Sequence, residues 1–394
     1  MHTFKSSFAT LMLFALVALT PKLRAADQDF NGRWDIQVHA KPADFAQFTT
    51  TAAWWLGITG AGTPDMKIQF VGSPDGSLDN IPIAKFQNGV LHFTWKATAR
   101  YGHTPNPNDH AEYDVKYVNG LLQGTVTSPA TTPATHLTFT GYRSPEIDEH
   151  EDGSWVRGKP IQLFNGKDLT GWTGVNSSKA EGWSVENGVL KCAGQEDDLR
   201  TVAKYWNFEL HVEYNLPAKS NSGIGLRGRY EVQIASDYGR PPGMHGTGAL
   251  YTRILPSVNA GKPPGEWQTY DIRLVGREVT TVLNGQKLYE KRVIDGLTGI
   301  AFDPFEGRPG PIELQGDHGG VEFRNVVLVP LTKRDANRES MGHAHFLRRG
   351  YEVARVDGVW LTDGFPAGAS HVRPPASRQP GTSELAHLLG NLCK

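Results

Sequence analysis

The sequence predicts an all-β protein made of two antiparallel units. Three observations carry this. Gly 44 and Pro 25 stand beside Trp 10, Tyr 12 and Phe 17, a composition that suits short strands joined by tight turns. Apolar clusters recur at short intervals, and helical periodicity is nearly absent. Asn119-Gly120, Asn187-Gly188 and Asn284-Gly285 sit between strand-like stretches with the composition of type I′ hairpin turns. The chain has 394 residues, more than one ordinary domain needs, so two units are expected.

Residues 1–25 read as an export signal. Met1 to Ser7 carries Lys5 and no acid, Phe8 to Leu19 is an apolar run, and Leu23-Arg24-Ala25 offers a small residue for cleavage. The run is short for a membrane span, and no later stretch could supply one. A secreted or periplasmic protein is therefore expected. Removing the signal takes away Lys5, Lys22 and Arg24 and moves the formal charge from -1 to -4. A strongly basic nucleic-acid footprint is absent. Cys192 and Cys393 are the only cysteines, which excludes a disulfide scaffold and Cys-rich zinc or iron-sulfur sites. The oligomeric state is not legible.

Residues 28–143 form the first unit. Its apolar clusters are Trp34 to Val38, Ala53 to Leu56, Met66 to Phe70, Val90 to Trp95, Tyr113 to Tyr117, Leu121 to Val126 and Leu137 to Phe139. A small antiparallel barrel or sandwich is expected, with Trp34 as a core plug. The segment Gly32-Arg33-Trp34 resembles the Gly-x-Trp opening of lipocalin-like barrels. Residues 144–160 crowd Glu146, Asp148, Glu149, Glu151 and Asp152 between Pro145 and Pro160, which predicts a solvated linker.

Residues 161–331 form the second unit, with strands expected at Gly182 to Cys192, Asn207 to Tyr214, Ser222 to Ile234, Thr269 to Leu274, Thr280 to Leu283, Pro311 to Gln315 and Val321 to Val329. Their spacing predicts an antiparallel sandwich. Residues 332–394 read as a weakly ordered extension. No complete Rossmann or P-loop pattern appears, nor HExxH, GxSxG or paired CxxC, so no nucleotide cofactor is suggested and no ligand motif requires a metal.

The candidate site comes from side-chain alternation along strands. Ile224, Leu226, Tyr230, Val232 and Ile234 face one way, and Arg227, Arg229, Glu231 and Gln233 the other. Upstream, Phe208, Leu210, Val212 and Tyr214 oppose Glu209, His211 and Glu213. On the concave sheet of a curved sandwich these polar side chains would line a groove suited to sugars. On an ordinary sheet they would form a solvated face. The loop Asp237 to Gly248 leads into Tyr251, Gly265-Glu266-Trp267 adds an aromatic, and Asp317-His318 sits between strands. That acid and histidine pair could position a base, bind a sugar hydroxyl or serve structure alone.

These segments resemble the 3-keto-disaccharide hydrolase domain family. The likeness runs through Leu163-Phe164-Asn165-Gly166-Lys167-Asp168-Leu169-Thr170-Gly171-Trp172, Gly182 to Leu190, Tyr205 to Tyr214, Asn221 to Arg227, Tyr230 to Ile234, Gly265-Glu266-Trp267, Leu283-Asn284-Gly285 and Leu314 to Gly319, in order. It implies a concanavalin-like jelly roll in carbohydrate-degrading bacteria and cleavage of glycosides oxidised at C3. The first unit resembles a lipocalin-like domain sometimes joined to that family. The family's recurring polar positions fall on Arg227, Glu231, Gln233 and His318, and its tryptophan after the Pro-Gly turn on Trp267. The ExDxxE strand pattern of laminarinase-type relatives is absent, since the comparable strand reads Glu231-Val232-Gln233-Ile234-Ala235-Ser236. A C3 ketone acidifies the C2 proton, so elimination followed by hydration is expected. Glu231 or His318 would be the base and Arg227 the partner of the keto oxygen. Gln233, Glu209, His211, Tyr251, Trp267, Asp317 and Arg229 are expected to contact substrate. The alternative function is a carbohydrate-binding protein without chemistry.

Overall fold

The computed structural model describes residues 29–39, 53–72, 76–96, 110–128, 135–177, 180–334, 354–356 and 359–361. The expected export signal, Cys393 and most of the expected extension lie outside these residues. Both expected β units, 28–143 and 161–331, fall within one compact body, Met1–Leu361, and the remainder, Thr362–Lys394, lies outside the described residues. Every described element is a strand, turn or irregular segment. No helix among the described residues is long and apolar enough to cross a membrane.

The first sheet is a nine-stranded antiparallel meander. It comprises β1 (Gly32–His39), β2 (Ala53–Thr59), β3 (Lys67–Val71), β4 (Asp79–Asn80), β5 (Ile83–Gln87), β6 (Val90–Lys96), β7 (His110–Val118), β8 (Leu121–Ser128) and β9 (Thr135–Arg143). Its order is β4-β3-β2-β1-β9-β8-β7-β6-β5, so the first and last strands pair and the ends of the sheet are β4 and β5. Trp95 Nε1 donates to Asp79 Oδ2 at 2.7 Å and ties β6 to β4 near that gap. Trp34, Trp54, Phe70, Phe93 and Tyr113 fill the interior. Asn119 and Gly120 have φ of 52° and 85°, the left-handed pair that a type I′ turn requires.

The sandwich follows. Its larger sheet contains β10 (Trp155–Arg157), β11 (Ile161–Gln162), β13 (Trp183–Glu186), β14 (Val189–Cys192), β16 (Phe208–Asn215), β19 (Gln268–Val275), β20 (Glu278–Leu283), β21 (Gln286–Val293) and β23 (Val321–Lys333). The smaller sheet runs β12 (Trp172–Gly174), β15 (Leu199–Thr201), β22 (Glu313–Leu314), β17 (Asn221–Leu226), β18 (Tyr230–Ala235). A separate two-stranded pair joins β24 (Ala354–Val356) and β25 (Val359–Leu361). One apolar core lies between the two large layers. Leu210, Val212, Tyr214, Tyr270 and Phe323 come from one sheet, and Leu199, Ile224, Val232, Ile234 and Leu314 from the other. The jelly-roll sandwich expected for this unit is thus present.

The segment expected as a solvated linker is tied down instead. Glu149 Oε2 accepts from Trp206 Nε1 and Asn207 Nδ2, Glu151 pairs with Arg273, and β10 pairs with β23. Acid crowding reads as solvation in a sequence, but here most of these acids have fixed partners. Across the boundary, Arg33 pairs with the fully buried Glu306, and Asp35 Oδ2 accepts from Glu306 N at 3.1 Å. Burial and the neighbouring Glu306 push the Asp35 carboxyl up to about 7.

Candidate functional site

The site is built on the smaller sheet. Gly225 of β17 pairs with Glu231 on one side and Glu313 on the other. Paired positions present side chains to one face, so Glu231, Gly225 and Glu313 form a row that continues into Arg200 and Thr173. A second row holds Gln233, Gly223 and Gln315, with Gln315 N donating to Gly223 O at 3.0 Å. The opposite face of these strands is the apolar core.

Two glycines leave a trough on this face that the flanking carboxyls fill. With no side chains on Gly223 and Gly225, the flanking carboxyls lean over the central strand. A Cβ built on Gly223 would lie 2.6 Å from Glu231 Oε1, and one on Gly225 would strike Glu313 Oε2. Glu231, Gln233, Glu313 and Gln315 are all buried. Both carboxyl oxygens of Glu313 and the Oε1 atoms of Gln233 and Gln315 have no hydrogen-bond partner. Orphaned buried acceptors are costly and call for a ligand that brings donors, as a sugar does.

The electrostatics follow from burial. Desolvation pushes Glu231 up to about 8, with His318 pulling down and Asp198 and Asp317 adding to the rise. Glu313 is raised well above the carboxylate range, chiefly by burial and then by Asp198, Glu231 and Asp317. Asp198 is raised to about 7 by burial and by Asp317. It also accepts from the backbone amides of Gly316 at 2.7 Å and Asp317 at 3.2 Å, which anchors the following loop. There His318 Nδ1 pairs with Asp317 Oδ1, and the acid holds the imidazolium above the ordinary histidine range. The His318 side chain is 48% exposed, so this end of the cluster meets solvent. The trough therefore holds carboxyls of raised proton affinity beside an oriented histidine.

The loop after β18 closes its free edge. Tyr251 N donates to Glu231 O at 3.0 Å, and Leu250 bridges Val232, which places Tyr251 on the face that carries Glu231. His245 packs edge-on against Tyr251 at 5.1 Å, and its carbonyl accepts from Gln233 Nε2 at 3.2 Å.

Glu231, Gln233, Asp317, His318 and Tyr251 are thus brought together, and the other expected residues are not. Arg227 sits in the β17–β18 turn at φ 58°, where strand parity no longer applies. Its guanidinium donates to Trp206 O at 2.6 Å, Gly276 O at 2.8 Å and Asn207 Oδ1 at 3.0 Å, and lies 3.8 Å from the Trp206 ring centroid. Burial lowers it to about 10, and every nitrogen is spent on the fold. Arg229 binds Asp303 and Arg308 O. Glu209 and His211 lie on the outer face of the larger sheet, Glu209 with Arg157 and Arg273, His211 with Asp271. Trp267 carries the Arg324 guanidinium 3.9 Å from its ring centroid, and Arg324 pairs with Glu213 on the same outer face. Sequence reasoning missed Glu313, Gln315, Asp198 and Arg200. Their signal was the alternation in Glu313-Leu314-Gln315 and Asp198-Leu199-Arg200, in strands of two and three residues. No group of three or more His, Cys, Asp or Glu among the described residues is placed to hold a metal ion.

The fold and trough define a jelly-roll sandwich with a buried row of acids and amides on its smaller sheet. Residues 159–329 match the model of the 3-keto-alpha-glucoside-1,2-lyase-like domain. A 3-keto-disaccharide hydrolase of Bacteroides thetaiotaomicron is 26% identical over 230 residues, which span 43% of this chain and 78% of that protein. Two crystal structures of candidate glycosyl hydrolases from Parabacteroides distasonis are also similar. One is 30% identical over 44% of this chain and 89% of its own, with a TM-score of 0.38. The other is 28% identical over 43% and 98%, with a TM-score of 0.35.

Proposed function

We propose that this chain is an exported hydrolase that cleaves the glycosidic bond of 3-keto glycosides by elimination followed by hydration. The family match and the 3-keto-disaccharide hydrolase relative supply the substrate class. The observation that carries the mechanism is the pair of buried, proton-holding carboxyls, Glu231 and Glu313, across the glycine strand from one another. The pair of strand carboxylates that one strand lacked is thus assembled from two. An ordinary paired-carboxylate glycosidase needs one member ionised as nucleophile or base. Burial raises the proton affinity of both, Glu231 to about 8, which suits donation to the keto and glycosidic oxygens.

The neutral form of His318, oriented by Asp317, takes the C2 proton, and Asp317 stabilises the imidazolium that forms. The electron pair moves to the C3 oxygen as an enolate, which accepts a hydrogen bond from Glu313. A donor aimed at such developing charge is worth about 3 kcal/mol. The enolate collapses, the C1–oxygen bond breaks, and Glu231 gives its proton to the departing alcohol. Water then adds to C1 of the enone, Glu231 recovers a proton from it, and His318 returns one to C2. The products are the free 3-keto sugar and the alcohol. Gln233, Gln315 and Tyr251 hold the sugar hydroxyls and ring.

The test incubates the protein with a 3-keto disaccharide and its unmodified parent in deuterated water, followed by mass spectrometry. Release of the 3-keto sugar with deuterium at C2, and no turnover of the parent, is expected. Product without deuterium and equal rates on both substrates would refute elimination. Retention of sugar without turnover would make the trough a binding site only.

A further inference from the structure

We propose that the first β unit is a positioning element for this chemistry: through Glu306 and Thr298 it holds the strand that carries Glu231 and Gln233. The inference takes the trough described above as the reacting site. Strand β18 is the last strand of its sheet, with β17 on one side and no further strand on the other. Its other edge is bonded to the loop 248–251, through Gly248 N to Gln233 O, Gln233 N to Ala249 O and Tyr251 N to Glu231 O, so the position of β18 depends on what holds that loop and the segments beside it.

Three lines of contact run from the first unit to β18. Arg33 of β1 pairs with Glu306, and Tyr230 Oη donates to the other Glu306 oxygen at 2.9 Å. Tyr230 is fully buried and directly precedes Glu231, so its ring pins the strand from the core side. In the second line, Glu231 N donates to Thr298 Oγ1 at 2.9 Å, and Thr298 N donates to Arg229 O at 3.0 Å. The next residue, Gly299, packs on Gly76 of the first unit so closely that a Cβ on Gly299 would lie 2.5 Å from Gly76 Cα. In the third, the carbonyl that takes Gln233 Nε2 belongs to His245, whose Nε2 pairs with Ser77 Oγ at 3.3 Å. Beside it, Leu78 N donates to Thr252 Oγ1 at 3.0 Å. Residues 230 and 233 are thus reached from the first unit through one residue each, Glu306 and His245, and residue 231 through two, Thr298 and Gly299. A buried ionic network is a weak source of stability, whereas it can fix a single geometry.

The test uses Arg33→Gln, Tyr230→Phe and Gly299→Ala in the full chain. Two readouts are taken: amide hydrogen exchange without substrate, and kinetics on a 3-keto disaccharide. The Glu231 amide is expected to exchange at least tenfold faster in each variant, while Val115 in β7 keeps its wild-type rate. The kcat is expected to fall about tenfold with KM within twofold, since misplacement harms the transition state more than binding. Arg33→Lys, which keeps one ion pair, regains most of the kcat. Unchanged exchange at Glu231, or a kcat within twofold of wild type in all three variants, overturns the proposal. So does faster exchange at Val115 equal to that at Glu231, which marks plain destabilisation. The exchange arm needs no substrate. If the wild type fails to turn over the keto sugar, the proposed reaction falls while exchange at Glu231 still decides the positioning role.

Discussion

Glu231→Gln separates the chemical role of the trough from its effect on stability. In the folded chain burial raises this carboxyl from 4.5 to about 8. The unfolded chain releases the proton near 4.5, whereas the folded chain keeps it to about 8. The folded form therefore binds more protons through this window. The contribution is complete below the unfolded value, is lost as pH rises, and levels off above the folded value. Each pKa unit is worth about 1.4 kcal/mol, so at pH 7 the buried acid weakens the fold by about 3 kcal/mol. Gln has nearly the same shape and does not titrate. The variant should melt about 6–12 °C above wild type at pH 7 and show a far smaller difference near pH 4.5. It should also lose at least 99% of turnover, roughly the hundredfold effect of losing a proton donor. Thermal melts from pH 4.5 to 8.5 and initial rates on a 3-keto disaccharide measure both. An equal melting difference at every pH, or full turnover, would refute the reasoning.

Further outcomes follow from the same geometry. Gly225→Ala places a methyl against the Glu313 carboxyl and should cut kcat/KM at least tenfold with the sandwich still folded, checked by kinetics and circular dichroism. Asp317→Asn removes the charge that raises both His318 and Glu231, so both limbs of the pH–rate profile should move to lower pH. Arg227→Met should act on stability instead of the keto oxygen. It strips three hydrogen bonds from a buried turn and should cost about 3 kcal/mol or more in denaturant unfolding.

The strands were legible because their signals are local. Alternation in Phe208 to Tyr214 and Tyr230 to Ile234, and Asn-Gly pairs that tolerate positive φ at both turn positions, depend on neighbours within a few residues. At all three Asn-Gly sites the backbone adopts that conformation. Family likeness singled out Glu231, Gln233 and His318, which share the trough.

What alternation could not decide was which polar face matters. Glu209-x-His211 and Glu231-x-Gln233 follow the same pattern, yet one lies on the outer face of the larger sheet and the other in the covered trough of the smaller one. Burial of a face is settled by what packs over it, and those residues are distant in sequence. Glu313 joins the site from 82 positions beyond Glu231, in a strand too short to carry a period. Arg227 leaves it because a left-handed turn breaks the parity of the strand. The raised proton affinities are likewise tertiary, since Glu231 and Glu313 are buried side by side only once strands distant in sequence have paired across Gly225.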